Sequence, residues 1–277
     1  MHTRVNRRAL PLIAVPLLLL ATSACSAPRA SLEEKHPLTV AVKKGIAEGA
    51  AAFDHSAFDA LLKKHVTPDG SVDYEGLRAR HKDLGRYLER IGAADLSTLP
   101  RDELLAFLIN AYNAWTLDLI LDHYPLKSIR ELDTPWKKPR CRVGGETVSL
   151  DFIEHSLLRV EELFDEPRVH FAVNCASLGC PPLRAGAFTA RGISRQLDEA
   201  VRAALRNPRQ LVVKGDRVGV TAILSWFGSD FTRKHGTLAS FLIPHAPPEA
   251  AAILRKRGDD AIFFLDYGWE LNGKGKA

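Results

Sequence analysis

The sequence is short of the signatures that make an activity easy to read. It has no phosphate-binding loop, no dinucleotide fingerprint and no His-Glu-x-x-His pair, so nucleotide hydrolysis, Rossmann-type redox chemistry and zincin-type proteolysis have no residues to rest on. It has no low-complexity tract and no internal repeat. Cysteines number only four. The spacing of Cys175 and Cys180, C-x4-C, is not that of a standard zinc knuckle, and nothing in the chain asks for a metal or another cofactor. Excess charge is missing too. The 277 residues carry 38 basic and 33 acidic side chains, a formal +5, and removing Arg4, Arg7 and Arg8 leaves 35 against 33, or +2. Basicity therefore gives no case for nucleic acid.

Those three arginines belong to a targeting pattern. They precede an apolar run from Ala9 to Ala21 that ends in Thr22-Ser23-Ala24-Cys25. A basic start, an apolar middle and small residues before a cleavage point read as a secretory signal over 1–24. The run is too short for a comfortable membrane span. Cys25 after Ser23-Ala24 fits a lipidation site, with Thr22 where leucine is usual, and simple cleavage near Ala24 or Ala27 is the alternative. The expected location is the periplasm, or the membrane through a lipid anchor on Cys25 and by no other means. Residues 25–50 read as a tether.

From residue 51 the pattern is that of one helix-rich α+β domain with a small, mainly antiparallel sheet. Phe53 to Val66 and Leu77 to Ile91 fit amphipathic helices. The segment 99–124 is apolar on every side, with Pro100 suited to a first turn and Asp102-Glu103 at the positive end of the dipole. It predicts a buried central helix. Asn110 and Asn113 lie three apart on it, placing two amides on one face; they are candidates to orient a substrate amide or carbonyl, or to brace a neighbouring loop. Gly144-Gly145 and Lys214-Gly215-Asp216 mark two hairpins. Ser149 caps a helix over Leu150 to Val160 that carries Asp151 and His155 four apart. Residues 169–173 read as a buried strand leading to Asn174-Cys175 and a tight loop with Gly179 and Pro181-Pro182.

A cysteine at such a place invites chemistry if a base or cation can produce its thiolate. His170 is five residues from Cys175, and alternation along a regular strand would point the two to opposite faces. His155 on a separate helix is free of that constraint, and Asp151 can fix its tautomer. Cys175, His155 and Asp151 then form a nucleophile, base and orienter. Ser177, or backbone N–H groups from Ala176 to Gly179, would serve as oxyanion donors.

Three stretches, Phe107 to Ala114, Ser149 to His155 and His170 to Pro182, taken in order resemble the DUF547 family, a domain of unknown function found in bacterial exported proteins and in plant proteins. The likeness spans roughly residues 55 to 272. The resemblance implies one domain over 51–277 and no established activity. In the plant branch serine stands at the position of Cys180, while those of His155, Cys175 and Ser177 are kept. It therefore implies that a Cys175–Cys180 disulfide is not what the family depends on. The sequence leaves open whether Cys141 pairs with Cys180. Two functions remain: a thiol-dependent hydrolase or acyl-transfer enzyme acting on an envelope amide or ester, or a non-catalytic envelope module binding an unknown partner.

Overall fold

A computed structural model describes residues 34–274. The expected signal and Cys25 lie outside the described residues. The fold is α+β, rich in helix, with a two-stranded and a three-stranded sheet. Helix α1 spans Pro37–Glu48 and buries Leu38 and Val42. The second half of the expected tether is thus an ordered helix. Its four-residue spacing of Leu38 and Val42 puts both side chains on the face that meets the core. Helices α2 (Ser56–His65), α3 (Tyr74–Arg78) and α4 (His81–Ala93) follow. The single helix expected from Leu77 is two, because Asp73 caps α3 through the Gly76 N–H at 3.0 Å and the chain restarts at His81.

Helix α5, Arg101–His123, organises everything around it. Almost every side chain from Glu103 to Leu121 is buried, as an all-round apolar helix requires. It is long and apolar enough to cross a membrane, yet it is enclosed by protein: α1, α4 and the 152–158 segment pack on it. Strands β1 (Cys141–Val143) and β2 (Glu146–Val148) form the first hairpin, with Gly144 and Gly145 both at positive φ, 56° and 88°. Only a two-residue turn of that hand matches the twist of the strands. After α6 (Ile193–Arg206), strands β3 (Leu211–Lys214) and β4 (Arg217–Val220) pair antiparallel. Strand β5 (Ile262–Phe264) then joins β4 in parallel. Between them lie α7 (Ile223–Trp226), α8 (Gly228–His235), α9 (Leu238–Leu242) and α10 (Pro248–Arg257).

Two hydrophobic clusters result. The larger surrounds α5; the smaller joins Val201 of α6, Val218 and Val220 of β4, Phe231 of α8 and Phe241 of α9. Residues 167–171 connect them, with Val169 in the first cluster and Phe171 in the second. This segment is a 3-10 helix, Pro167–Phe171, and not the expected strand. Pro167 opens it and Glu166 caps it through the Arg168 N–H at 3.2 Å, so the apolar run is spent on a tight turn reaching two cores.

Candidate functional site

The cysteine loop is held from behind by amides. Asn113 donates to the Ala172 carbonyl at 2.9 Å and accepts from the Asn174 N–H at 2.9 Å. Asn174 in turn donates to the Pro181 carbonyl at 2.8 Å and accepts from the Ala176 N–H at 2.8 Å. Asn272 adds a bond to the Asn174 carbonyl oxygen at 3.3 Å and is itself fixed by the Tyr74 hydroxyl at 2.7 Å. Asn110 pairs with both backbone groups of Phe188, at 2.8 and 2.9 Å. Both predicted substrate-binding amides are therefore consumed as braces, since a buried amide left free would cost about 1–3 kcal/mol.

Within that frame Ala176 is held at φ 63°, a conformation rare for a side chain with a Cβ. Such strain persists only where the surroundings impose it, and it gathers at functional loops. The loop presents Cys175 partly exposed, while Ser177 and Cys180 are buried. Cys175 and Cys180 are joined as a disulfide, and Cys141 is free and buried. Burial pushes the Cys141 thiol up to about 12. The Cys141–Cys180 pairing left open by the sequence is thus replaced by Cys175–Cys180. Ser177 Oγ lies 2.9 Å and the Tyr267 hydroxyl 3.1 Å from Cys175 Sγ. Tyr267 arrives because Gly179 has no side chain: a Cβ there would sit 2.7 Å from the Tyr267 ring. Three of the four backbone N–H groups expected to serve as oxyanion donors are taken. Ala176 bonds Asn174, Leu178 bonds the Glu270 carbonyl at 2.8 Å and Gly179 bonds the Gly268 carbonyl at 2.7 Å.

The helix carrying His155 is a π-helix, Phe152–Leu158, entered through the Ser149 cap (Phe152 N–H to Oγ, 3.0 Å). Turns of this kind are rare in general and frequent at functional sites. His155 Nε2 is 3.5 Å from Asp151, so the expected base and orienter do meet. Nδ1 is 2.5 Å from the Arg159 guanidinium. Arginine only donates, so Nδ1 accepts and Nε2 carries the hydrogen. Both ring nitrogens are engaged away from Cys175. A proton added at Nδ1 would face a guanidinium, which disfavours His155 as the base.

His170 corrects the sequence reading. A 3-10 turn does not alternate as a strand does, and its ring lines the same cavity as Cys175. His170 Nε2 bonds Asp230 at 2.8 Å, and Asp230 also receives Arg159 at 2.7 and 3.2 Å. Burial alone would push the Asp230 carboxyl up, but the bonds from His170 and Arg159 overcome it and hold the group well below the carboxylate range. Burial holds the His170 imidazole neutral by lowering its pKa, against the pull of Asp230. A neutral ring with Nε2 donating to a carboxylate keeps Nδ1 as an acceptor.

These groups surround a cavity of about 460 Å³. Asp151, Glu154, His155 and His170 supply its polar wall; Trp136, Trp226, Phe227, Tyr267 and Trp269 supply an aromatic one. Residues 96–203 match the family described as a protein of unknown function, DUF547. Over that stretch the chain is similar to the DUF547 family. The match takes in Asn110, Asn113 and Asn174, the π-helix and the cysteine loop, whereas Asp230, Tyr267 and Asn272 come from beyond it. No curated protein and no solved structure matches the chain. Arg159, Asp230, Glu154 and Tyr267 were not singled out in sequence. Arg159 continues the four-residue spacing of Asp151 and His155, which was the one visible signal. A further grouping, His81 with Asp118 and Asp122, has ligand-like spacing. Arg140 bonds both carboxylates at 2.5 and 2.8 Å, which makes it an ion-pair cluster.

Proposed function

We propose that the protein is an exported thiol-dependent hydrolase or acyl-transfer enzyme, acting at the cell envelope on an amide or ester from its reduced form. The reading rests on one observation: a strained loop places Cys175 on the wall of a cavity that also holds a neutral imidazole oriented by a buried carboxylate, His170 with Asp230. Strained backbone and shifted ionisable groups converging on a concave site are the marks of a catalytic centre.

An external dithiol gives two electrons and two protons to the Cys175–Cys180 bond, leaving two thiols and an oxidised dithiol. His170 Nδ1 then takes the Cys175 proton, and the thiolate attacks the substrate carbonyl carbon. The developing oxyanion accepts from Ser177 and Tyr267; burial pushes the Tyr267 phenol up, so it stays a donor. Collapse breaks the bond to the leaving amine or alcohol, which takes the proton from His170. Water, losing a proton to the same ring, cleaves the thioester and restores the thiol. Asp151 and His155, anchored on Arg159, hold Arg159 against Asp230.

The disulfide favours a second reading, a non-catalytic envelope module locked by Cys175–Cys180. Iodoacetamide labelling of the folded protein, before and after mild dithiol treatment, separates the two. The enzyme reading expects Cys175 to label quickly after reduction, with an apparent pKa below the ordinary ~8.5 of a thiol, and His170→Asn to return it toward that value. Labelling of Cys175 only on unfolding, with or without reduction, rejects the enzyme.

A further inference from the structure

Three of the four tryptophans of the chain, Trp136, Trp226 and Trp269, line the cavity that Cys175 also lines. They form one chain of ring contacts with Tyr267. Its ring centroid lies 4.8 Å from Trp226 and 4.6 Å from Trp269, and Trp136 meets Trp269 at 6.0 Å. Half of the Trp226 surface is exposed. Trp136 packs partly against the larger core, but Trp226 and Trp269 belong to neither cluster, and so much indole surface at an open cavity is costly to leave wet.

The same cavity carries acidic groups. Two carboxylates, Asp151 and Glu154, and one ammonium, Lys137, line the cavity, so acidic groups outnumber basic ones there. Arg159 adds nothing to that balance, because its charge is matched by Asp230. Lys137 is exposed. Nearby rings already accept cations: Arg159 lies 4.5 Å from the Phe227 centroid and Arg130 5.1 Å from that of Trp269. Aromatic faces and carboxylates lining one cavity together recognise an organic ammonium, through the negative π-face and the charge.

We infer that the cavity binds a cationic amine, so that the amide or ester carried to Cys175 bears an ammonium group seated between the indole wall and Glu154. This rests on the cavity being the substrate site of the proposed enzyme, but binding itself needs no thiol. The test therefore uses the protein with its disulfide intact, and its failure is separable from failure of the chemistry. Tryptophan fluorescence is titrated with hexylammonium, hexanol and hexanoate, three probes of one length and three charges. The amine is expected to bind at least about tenfold tighter than the alcohol, with the carboxylate weakest. Glu154→Gln should remove most of that preference. Trp226→Leu, at a half-exposed position where folding is not at stake, keeps apolar area but loses the π-face, and should reduce it severalfold. Equal affinity for amine and alcohol overturns the inference, as does a preference for the carboxylate or one unchanged in both variants.

Discussion

Two polar systems of opposite character stand near the cysteine loop. Behind it, Asn110, Asn113, Asn174 and Asn272 form a neutral lattice in which donors and acceptors meet backbone groups. In front, Asp151, His155, Arg159, Asp230 and His170 form a charged chain along the cavity. Amides neither titrate nor move protons, so the first system can only fix geometry. The second holds ionisable groups whose states depend on one another. Scaffold and chemistry are thus carried by different residue types on either side of one strained turn.

The sharpest way to break this division is on the scaffold side. Asn113→Ala leaves the Ala172 carbonyl and the Asn174 N–H without partners, and about 3 kcal/mol of stability should be lost. Urea denaturation reads this directly, and the loss should be the same at every pH. A loss below about 1 kcal/mol would mean that the lattice is not what holds the loop.

On the front side the effect should depend on pH, with a definite sign. His170 has a folded pKa lowered below 6.5, so the unfolded chain binds its proton first. Stability from this group is present above 6.5 and falls as pH drops from there toward the folded pKa. His55, buried and hydrogen-bonded to Tyr87, is lowered to about 4 and acts in the same direction over 6.5 to 4, contributing on the order of 3 kcal/mol across the window. Asp230, with its depressed carboxyl, contributes only above the ordinary 3.8 and loses its part below that. Melting temperature against pH should therefore fall from about 6.5 downward. His170→Asn and His55→Gln should each flatten part of the slope, whereas Asn113→Ala should leave the slope unchanged. A wild-type curve flat between pH 6.5 and 4 contradicts the assignment.

The smallest effect lies outside both systems. Arg195 and Glu199 are an exposed pair on one face of α6. Arg195→Ala should cost less than about 0.5 kcal/mol by the same denaturation measurement. A larger cost would show that the division between the two systems leaves out something on the surface.

The sequence made the scaffold more legible than the chemistry. Helix α5 is visible because nothing but a buried helix is apolar on all sides, and Ser149 and Gly144-Gly145 announced a cap and a turn that the fold uses. Braced amides and substrate-binding amides look identical in sequence, so Asn110 and Asn113 could be located but not assigned. The π-helix has no signature of its own, since its hydrogen bonds shift by one residue without any change of composition. His170 was set aside on an alternation that holds only for a strand, and residues 167–171 spend their apolar side chains on two cores in a 3-10 turn. Asp230 and Tyr267 reach the site from 60 and 92 residues beyond their partners His170 and Cys175. No local pattern carries such pairings.

The π-helix also sets a tolerance on length. An α-helical residue advances about 100° around the axis, and a π-turn holds one residue more per hydrogen-bonded loop than an α-turn does. Deleting Ser156, Leu157 or Leu158 would let the segment relax to the commoner form, but it would shorten the step from His155 to Arg159 by one residue and shift Arg159 relative to Asp230. Asp230 would then keep His170 alone, and His155 would lose the guanidinium that fixes its tautomer. The segment behaves as a vernier, in which one surplus residue sets the angle between two parts of the site that the rest of the chain cannot adjust.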